Sequence, residues 1–165
     1  MPIGGKTKLP RNLKALVNSP GFSKIISLGI VRDADENARA AFQSICSALK
    51  FVGLPVPPAP MVSTGSNPSV AVFVLPGEDK PGALEDLCLE AFQGEPVMSC
   101  VKEYFACLQN AGICLPHQFS KAMLQVLLAS FREAGKRLGE AAQAGYLRLS
   151  GDAFQCLRDF LCLLA

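Results

Sequence analysis

The chain has 165 residues and a mass of 17.5 kDa, with 50% hydrophobic and 18% charged residues. This composition excludes an intrinsically disordered chain and predicts a single compact domain over residues 1–165. The longest run without a charged residue, 51–77, contains six prolines, which excludes a membrane-spanning helix there. The first residues lack the apolar segment of a secretory signal, so we expect a cytoplasmic protein.

Charge is distributed unevenly along the chain, although the formal net charge is only +2. Residues 1–32 hold six basic residues and no acidic one, whereas the remaining 133 residues hold all 14 acidic residues and ten basic ones. A basic N-terminal arm can contact nucleic-acid phosphates, and a solvated helix face is the alternative interpretation. The candidate phosphate-binding residues are Lys6, Lys8, Arg11 and Lys14.

The first two predicted elements are a helix and a strand. Apolar residues recur at helical spacing over residues 9–17, and Asn18-Ser19-Pro20-Gly21 ends that helix. Residues 25–31 form a run of strand length that is rich in β-branched side chains. Such a run is typical of a strand that is buried on both faces, as in a parallel sheet.

A second helix and a second strand complete a β–α–β pattern. Residues 36–52 place apolar side chains at intervals of three and four, and polar side chains occupy the other sides of this helix. A proline-rich connection, 55–60, then leads to an apolar strand at residues 70–75. Units of this kind wind right-handed and place their loops, and usually their ligands, at the carboxyl ends of the strands.

The remainder of the chain is predicted to be helical. A turn-rich loop, 76–82, precedes a helix at 83–90, and further helices are predicted at about 97–111, 118–131, 135–145 and 151–164. The predicted fold class is therefore α/β, with a small, mainly parallel sheet flanked by helices and a helical C-terminal half.

The seven cysteines are an odd number and include no Cys-x-x-Cys pair, which argues against a disulfide framework and a zinc site. Reduced and mostly buried thiols are expected. Cys100, Cys107 and Cys114 recur every seven residues, but apolar side chains share their helix stripe. Core packing is therefore favoured over metal or redox chemistry.

Two aspartates at the end of the first strand form the strongest candidate site. Asp33 and Asp35 point to the same side of the sheet if the extended conformation continues through Asp35. Close carboxylates repel each other, and a hard cation such as Mg²⁺ or Mn²⁺ between them relieves that repulsion. In the alternative interpretation, one carboxylate caps the following helix and the other lies in solvent.

Three further residues could contribute to this site. Glu85 and Asp86 follow the loop after the second strand, which should open beside the two aspartates, and Glu85 is the favoured third carboxylate. On its own, such a pair is an ordinary feature of a helix start. Lys121 begins an apolar helix and could neutralise charge on a phosphate, although a surface lysine is the alternative.

These residues carry a family resemblance. The segments that carry it are Leu28 to Glu36, then Val72 to Pro76 with Gly82 to Asp86, and finally Ser120-Lys121-Ala122. In this order they resemble the TOPRIM superfamily, over roughly residues 4–164. The similarity is closest to small prokaryotic TOPRIM-like proteins of unknown function and more distant to the overcoming-lysogenization-defect nucleases. It implies Mg²⁺-dependent phosphodiester chemistry, with Asp33 and Asp35 as metal ligands, Glu85 as an additional ligand and Lys121 as a phosphate-facing catalytic residue.

The chain departs from the family pattern before Asp33. TOPRIM domains begin with a strand that is followed by a glutamate, commonly the general acid or base, and no acidic residue precedes Asp33 here. A truncated reading frame, a catalytically silent member and a site completed by another subunit are the three explanations. A missing strand would leave an open sheet edge, and we therefore expect a homodimer.

The leading functional hypothesis is a TOPRIM-like domain that binds Mg²⁺ or Mn²⁺ and binds or acts on nucleic-acid phosphodiesters. The alternative is a catalytically silent interaction module in defence against phage or mobile elements. Other Asp-x-Asp enzymes rank lower, because phosphatases of the haloacid dehalogenase type usually have threonine where this chain has Asn37, and nucleotide-sugar transferases usually need a larger fold.

Overall fold

A computed structural model describes residues 8–165, and it confirms an α/β fold that combines helices with a two-stranded parallel sheet. In chain order, the helices and strands are α1 (Leu9–Val17), β1 (Ser27–Asp33), α2 (Ala38–Phe51), β2 (Ser69–Leu75), α3 (Leu84–Glu90), α4 (Pro96–Asn110), α5 (Phe119–Ala129), α6 (Leu138–Gln143) and α7 (Gln155–Cys162).

Residue contacts group the chain into two compact units. The first unit extends to Ala83 and also includes Cys156–Ala165, and the second unit is Leu84–Gln155. The single-domain organisation stays a prediction. Within the described part of the chain, no helix combines the length and the apolar character that a membrane span requires.

The first unit is built around β1, α2 and β2, as the β–α–β pattern predicts. The two strands run parallel and pair over their whole length, from Ser27 opposite Ser69 to Asp33 opposite Leu75. The α2 helix begins where the side chain of Asn37 accepts a hydrogen bond from the amide of Ala40, at 2.9 Å. This cap satisfies one of the unpaired amides of the first turn and fixes where the helix starts.

Helices pack on both faces of the sheet. On one face, a core of buried residues joins α1, α2 and alternate positions of the strands: Leu9, Leu13, Ile30, Ala41, Ile45, Leu49, Val70, Val72 and Val74. On the other face, the ring of Phe73 stacks on that of Phe160 in α7, with ring centroids 5.5 Å apart. β2 therefore contributes side chains to two separate apolar layers.

The prediction that β1 is buried on both faces is wrong. Within β1 only Ile30 is buried, Gly29 is exposed, and the side chain of Val31 is 45% exposed. By contrast, β2 is buried from Val70 to Leu75. The reason is position in the sheet: β2 lies between β1 and the segment 61–64, which bonds to its other edge through Met61 and Thr64. Among residues 8–165, β1 is an edge strand.

The second unit consists of α3 to α6 and the short 3-10 turn Asp152–Phe154, close to the predicted helices. The α5 helix packs against both α3 and α4. An ion pair joins Arg148 to Glu95, with 2.6 Å between the charged atoms, and the rings of Phe131 and Tyr146 stack at 4.6 Å. Apolar packing with a few polar connections thus holds this unit together.

The expectation of mostly buried thiols is also wrong. All seven cysteines are free thiols, but only Cys88 is buried, Cys46 and Cys156 are half-buried, and the other four are exposed. On α4, the buried residues are Met98, Val101 and Phe105. Cys100 and Cys107 lie on a different side of this helix, so they do not share its packed face.

Candidate ligand site at the carboxyl edge of the sheet

Asp33 and Asp35 lie where the chain leaves the carboxyl end of β1. Asp33 is the last residue of the strand and is half-buried, and Asp35 is exposed. Between them, Ala34 is 3% exposed, and its amide donates a hydrogen bond to the carbonyl of Leu75, at 2.9 Å. The fold therefore places residues Asp33 to Asp35, the acidic segment, at the strand end where parallel sheets usually bind ligands.

The extended conformation does not continue through Asp35. Its φ angle of 54° is left-handed, and its amide and carbonyl pair with those of Gly82 at 2.9 and 2.7 Å. The alternation of side chains along a strand therefore does not determine where the Asp35 carboxylate points. The same backbone pairing holds the end of the loop that follows β2 next to the acidic segment.

The loop after β2 contributes more charged residues to this edge. Glu78 and Asp79 both have left-handed φ angles, 53° and 56°. The Lys80 ammonium lies 2.6 Å from the Glu78 carboxylate, and this hydrogen bond and charge lower the pKa of Glu78. Residues other than glycine rarely adopt this backbone conformation, and it is found more often at binding sites than elsewhere. Three residues with left-handed backbone, Asp35, Glu78 and Asp79, lie at this one edge.

A pocket of about 690 Å³ opens in the first unit at this edge. It is lined by residues 36–39, Phe42, Gln43, residues 58–60, Asp79 and Pro81. The first turns of α2, the proline-rich connection and the loop after β2 thus each supply one wall. This volume falls within the range of small-molecule sites, roughly 300–1,000 Å³.

The walls of the pocket are fixed by backbone contacts and by proline. The side-chain cap of Asn37 holds the start of α2, and the amide of Met61 bonds to the carbonyl of Val72 in β2, at 2.9 Å. Pro58, Pro60 and Pro81 restrict the backbone along two of the walls. The backbone of the pocket therefore needs little ordering when a ligand enters it.

The other predicted site residues belong to the second unit. Glu85 and Asp86 lie in the first turn of α3 and are half-buried. The Ser120 hydroxyl donates a short hydrogen bond to Asp86, and the neighbouring Lys121 is exposed in the first turn of α5. Asp86, Ser120 and Lys121 therefore lie close together, and the grouping of Glu85 with the two aspartates stays a prediction.

Metal donors are sparse in the described chain. Over residues 8–165, no three or more His, Cys, Asp or Glu side chains form a group that could hold a metal ion. Burial raises the pKa of the Cys88 thiol to about 12, with a smaller contribution from the charge of Glu85, so this thiol stays protonated.

The predicted basic arm is described from Lys8 onward, and Lys6 lies outside the described residues. Lys8, Arg11 and Lys14 are exposed, whereas Leu9 and Leu13 of the same helix are buried. This arrangement matches a solvated helix face, and contact with phosphates stays a prediction.

Arg39, Phe42 and Gln43 were not predicted as site residues. The pattern of α2 places Arg39 and Gln43 away from its core-facing stripe, which is a weak signal of an available surface. The wall opposite them depends on the path of the proline-rich connection. That path has no periodic signal in the sequence, which is why the pocket was missed.

The protein-family comparison gives one match. A family model described as "Protein of unknown function (DUF3226)" matches residues 2–165, nearly the whole chain. No curated protein and no solved structure matches the chain significantly.

Proposed function

The chain belongs to the DUF3226 family, and we propose that it binds Mg²⁺ or Mn²⁺ through Asp33 and Asp35 and thereby engages nucleic-acid phosphodiesters. One observation carries this proposal. Asp33 ends β1 and Asp35 follows it at the carboxyl edge of a parallel β–α–β unit, and the loop after β2 is bonded to Asp35. Ligands of α/β proteins bind at this position. The TOPRIM-like order of the motifs supports the same assignment.

Two carboxylate ligands suit Mg²⁺ better than a metal ion that requires all of its ligands from the protein. Mg²⁺ is commonly held by one or two carboxylates, with water and substrate phosphates completing six oxygen ligands. Asp33 and Asp35 supply two carboxylates, and the described chain offers no group of three donors. Occupancy of such a site should therefore increase when a phosphodiester is present.

Each residue has a limited role in the proposed chemistry. A bound metal would polarise a phosphate oxygen and lower the pKa of a bound water. Asp33 and Asp35 would hold that metal, and the pKa of Glu78 is lowered by Lys80, so Glu78 is ionised near neutral pH and is a poor general acid. Glu85, with Asp86 less favoured, and the phosphate-facing Lys121 follow from the resemblance alone.

The second candidate function is a catalytically silent interaction module, for which phage or mobile-element defence is the expected setting. The absence of a three-donor group in residues 8–165 favours it. In this case the acidic segment is vestigial, and removing both neighbouring like charges should leave the protein at least as stable.

A plasmid-nicking assay separates the two functions. Supercoiled plasmid would be incubated with the parent protein, with Asp33→Asn/Asp35→Asn and with the control Asp152→Asn, an exposed aspartate of the second unit. The proposal predicts nicking in Mg²⁺ or Mn²⁺ by the parent and the control, and none by the double variant. Nicking that survives the double variant contradicts the assignment of Asp33 and Asp35.

Thermal unfolding with and without 5–10 mM Mn²⁺ completes the comparison, since a ligand that binds the folded state raises the melting temperature by mass action. Metal binding predicts stabilisation of the parent that the double variant loses. The silent module predicts no metal effect, no nicking and a double variant at least as stable as the parent.

We further propose that a second copy of the chain pairs with the open edge of β1. The carbonyl of Ile26 and the amide of Ala34 bond to β2, so the even-numbered residues of this segment face β2. The backbone groups of Ser27, Gly29 and Val31 therefore point to the other side, where they have no backbone partner within residues 8–165. An unpaired edge of this kind readily accepts another strand.

Light scattering tests the dimer. At micromolar concentration we expect twice the chain mass for the parent, and a shift towards the monomer for Val31→Lys, which places a charge at the edge. The control Leu149→Lys changes an exposed apolar residue of the second unit. A monomeric parent, or equal dimerisation of both variants, contradicts the proposed edge.

A further inference from the structure

The pocket beside the acidic segment has the chemistry of a site for one planar, polar ring. Its apolar surface comes from Phe42, Ala38, Ala59 and the three prolines at positions 58, 60 and 81. Phe42 is half-buried and packs against the core from α2, so its ring is held in place. An aromatic ring beside rigid apolar walls favours stacking of a flat ligand.

The polar residues around this apolar surface select among flat ligands. The carboxylates of Glu36 and Asp79 accept hydrogen bonds only, the guanidinium of Arg39 donates only, and the amide of Gln43 does both. Purine and pyrimidine bases present donors and acceptors along their edges and apolar faces above and below the ring. A lipid tail has no group that could hydrogen-bond to these side chains.

The charge of the pocket indicates which part of a nucleotide enters it. The lining includes two carboxylates and one guanidinium, so it has a formal charge of −1, which disfavours a di- or triphosphate inside the pocket. The phosphate group would instead lie outside, where the acidic segment and its metal are proposed to act. The neutral base is the part that suits the pocket itself.

We infer that the pocket between α2, residues 58–60 and the loop after β2 binds an unpaired nucleobase, stacked on Phe42 with its edge on Gln43 and the carboxylates. The inference rests on the proposed function, because the base in the pocket would belong to a single strand whose phosphodiester is bound at Asp33 and Asp35. Carboxylates accept from the exocyclic amino groups of cytosine, adenine and guanine, and thymine has none. The site therefore prefers amino-bearing bases over thymine.

Fluorescence polarisation with labelled 12-mers in EDTA tests the inference without any contribution from metal. Oligo-dC and oligo-dA should bind more tightly than oligo-dT, and a 12-mer of abasic sites should bind most weakly. Phe42→Leu should weaken binding of oligo-dC by about fivefold or more, and Gln43→Ala by about threefold. The control Phe51→Leu changes an exposed phenylalanine of α2 outside the pocket and should leave the affinity unchanged.

Phe42 contacts the core, so its variant is compared only if its melting curve shows a folded protein. Gln43 is exposed, and its variant keeps the test decisive if Phe42→Leu does not fold. Competition with dCMP separates the sources of the base. Displacement of the 12-mer by dCMP at micromolar to millimolar concentration assigns the site to free nucleotides, and no displacement assigns it to a strand.

Three results would overturn the inference: an abasic 12-mer that binds as tightly as oligo-dC, oligo-dT that binds as tightly as oligo-dC, or parent affinity in both pocket variants. The failures of the two proposals are distinguishable. Base binding in EDTA that Asp33→Asn/Asp35→Asn retains, together with no metal binding, would overturn only the metal site. Metal binding with no effect of the pocket variants would overturn only the base pocket.

Discussion

The two strands of the sheet have the same length and pair residue by residue, yet they have different surroundings. β2 is buried from Val70 to Leu75, between β1 and the segment 61–64. β1 has one edge without a strand among the described residues, an exposed Val31 and an acidic segment at its carboxyl end. Burial along β2 supports the fold, whereas the exposure of β1 leaves its end available for binding.

Removing a core side chain from β2 should have the largest effect on stability. Phe73 is 2% exposed and stacks on Phe160, so Phe73→Ala should lower the free energy of unfolding by about 3–5 kcal/mol. The matched change in β1, Val31→Ala at a 45% exposed position, should change it by less than about 0.5 kcal/mol. Urea unfolding followed by circular dichroism measures both, and equal losses would contradict the contrast between the strands.

Loss of the α2 cap should have an intermediate effect. Asn37→Ala removes the acceptor for the Ala40 amide and should lower the free energy of unfolding by about 1 kcal/mol, whereas Asn37→Asp should retain most of it. The control is Gln118→Ala, because Gln118 occupies the same position in α5 without a side-chain cap bond. A control as destabilising as Asn37→Ala would mean that the cap does not stabilise the start of α2.

The accuracy of the predictions made from the sequence also differs between β1 and β2. The helices and β2 are close to prediction because their apolar spacing matches their burial. The prediction that β1 is buried on both faces was wrong, because residues Ile25 to Val31 are apolar enough for a central strand and no local sequence feature indicates an edge strand. Asp33 and Asp35 were placed correctly at the strand end, but the left-handed turn at Asp35 depends on its pairing with Gly82, a long-range contact.

The buried Cys88 thiol should titrate only at strongly alkaline pH. Burial raises its pKa from 9.0 to about 12, so its contribution to stability is complete below pH 9 and is lost as the pH rises towards 12. Cys88→Ala should remove this part of the alkaline destabilisation, and the exposed Cys100→Ser should not. Unfolding curves between pH 8 and 11 check it, and a flat pH dependence in the parent would contradict it.

Native alkylation gives a second readout for the same thiol. Iodoacetamide at pH 8 should modify the four exposed cysteines, Cys100, Cys107, Cys114 and Cys162, well before Cys88, because the thiolate is the reactive form. Peptide mass spectrometry assigns each site. Early modification of Cys88 in the folded protein would show that its surroundings are open to solvent.

The smallest expected effect concerns the exposed pair at the loop after β2. Lys80 lowers the pKa of Glu78, so the small stability this pair adds is present above the ordinary pKa of 4.5 and is lost as the pH falls below it. Lys80→Ala should return the pKa of Glu78 to its ordinary value, which carbon-detected NMR titration of the carboxyl measures. An unchanged Glu78 titration in this variant would mean that the ion pair does not persist in solution.

The most direct test of the metal site is a Mn²⁺ titration followed by electron paramagnetic resonance, with and without an oligo-dC 12-mer. We expect the parent and Asp152→Asn to reduce the signal of free Mn²⁺, more strongly with the 12-mer, and Asp33→Asn/Asp35→Asn not to reduce it. If the carboxyl edge of the sheet held no metal, the signal of free Mn²⁺ at millimolar metal would be equal in the presence of the parent and of the double variant. That result would contradict metal binding by Asp33 and Asp35.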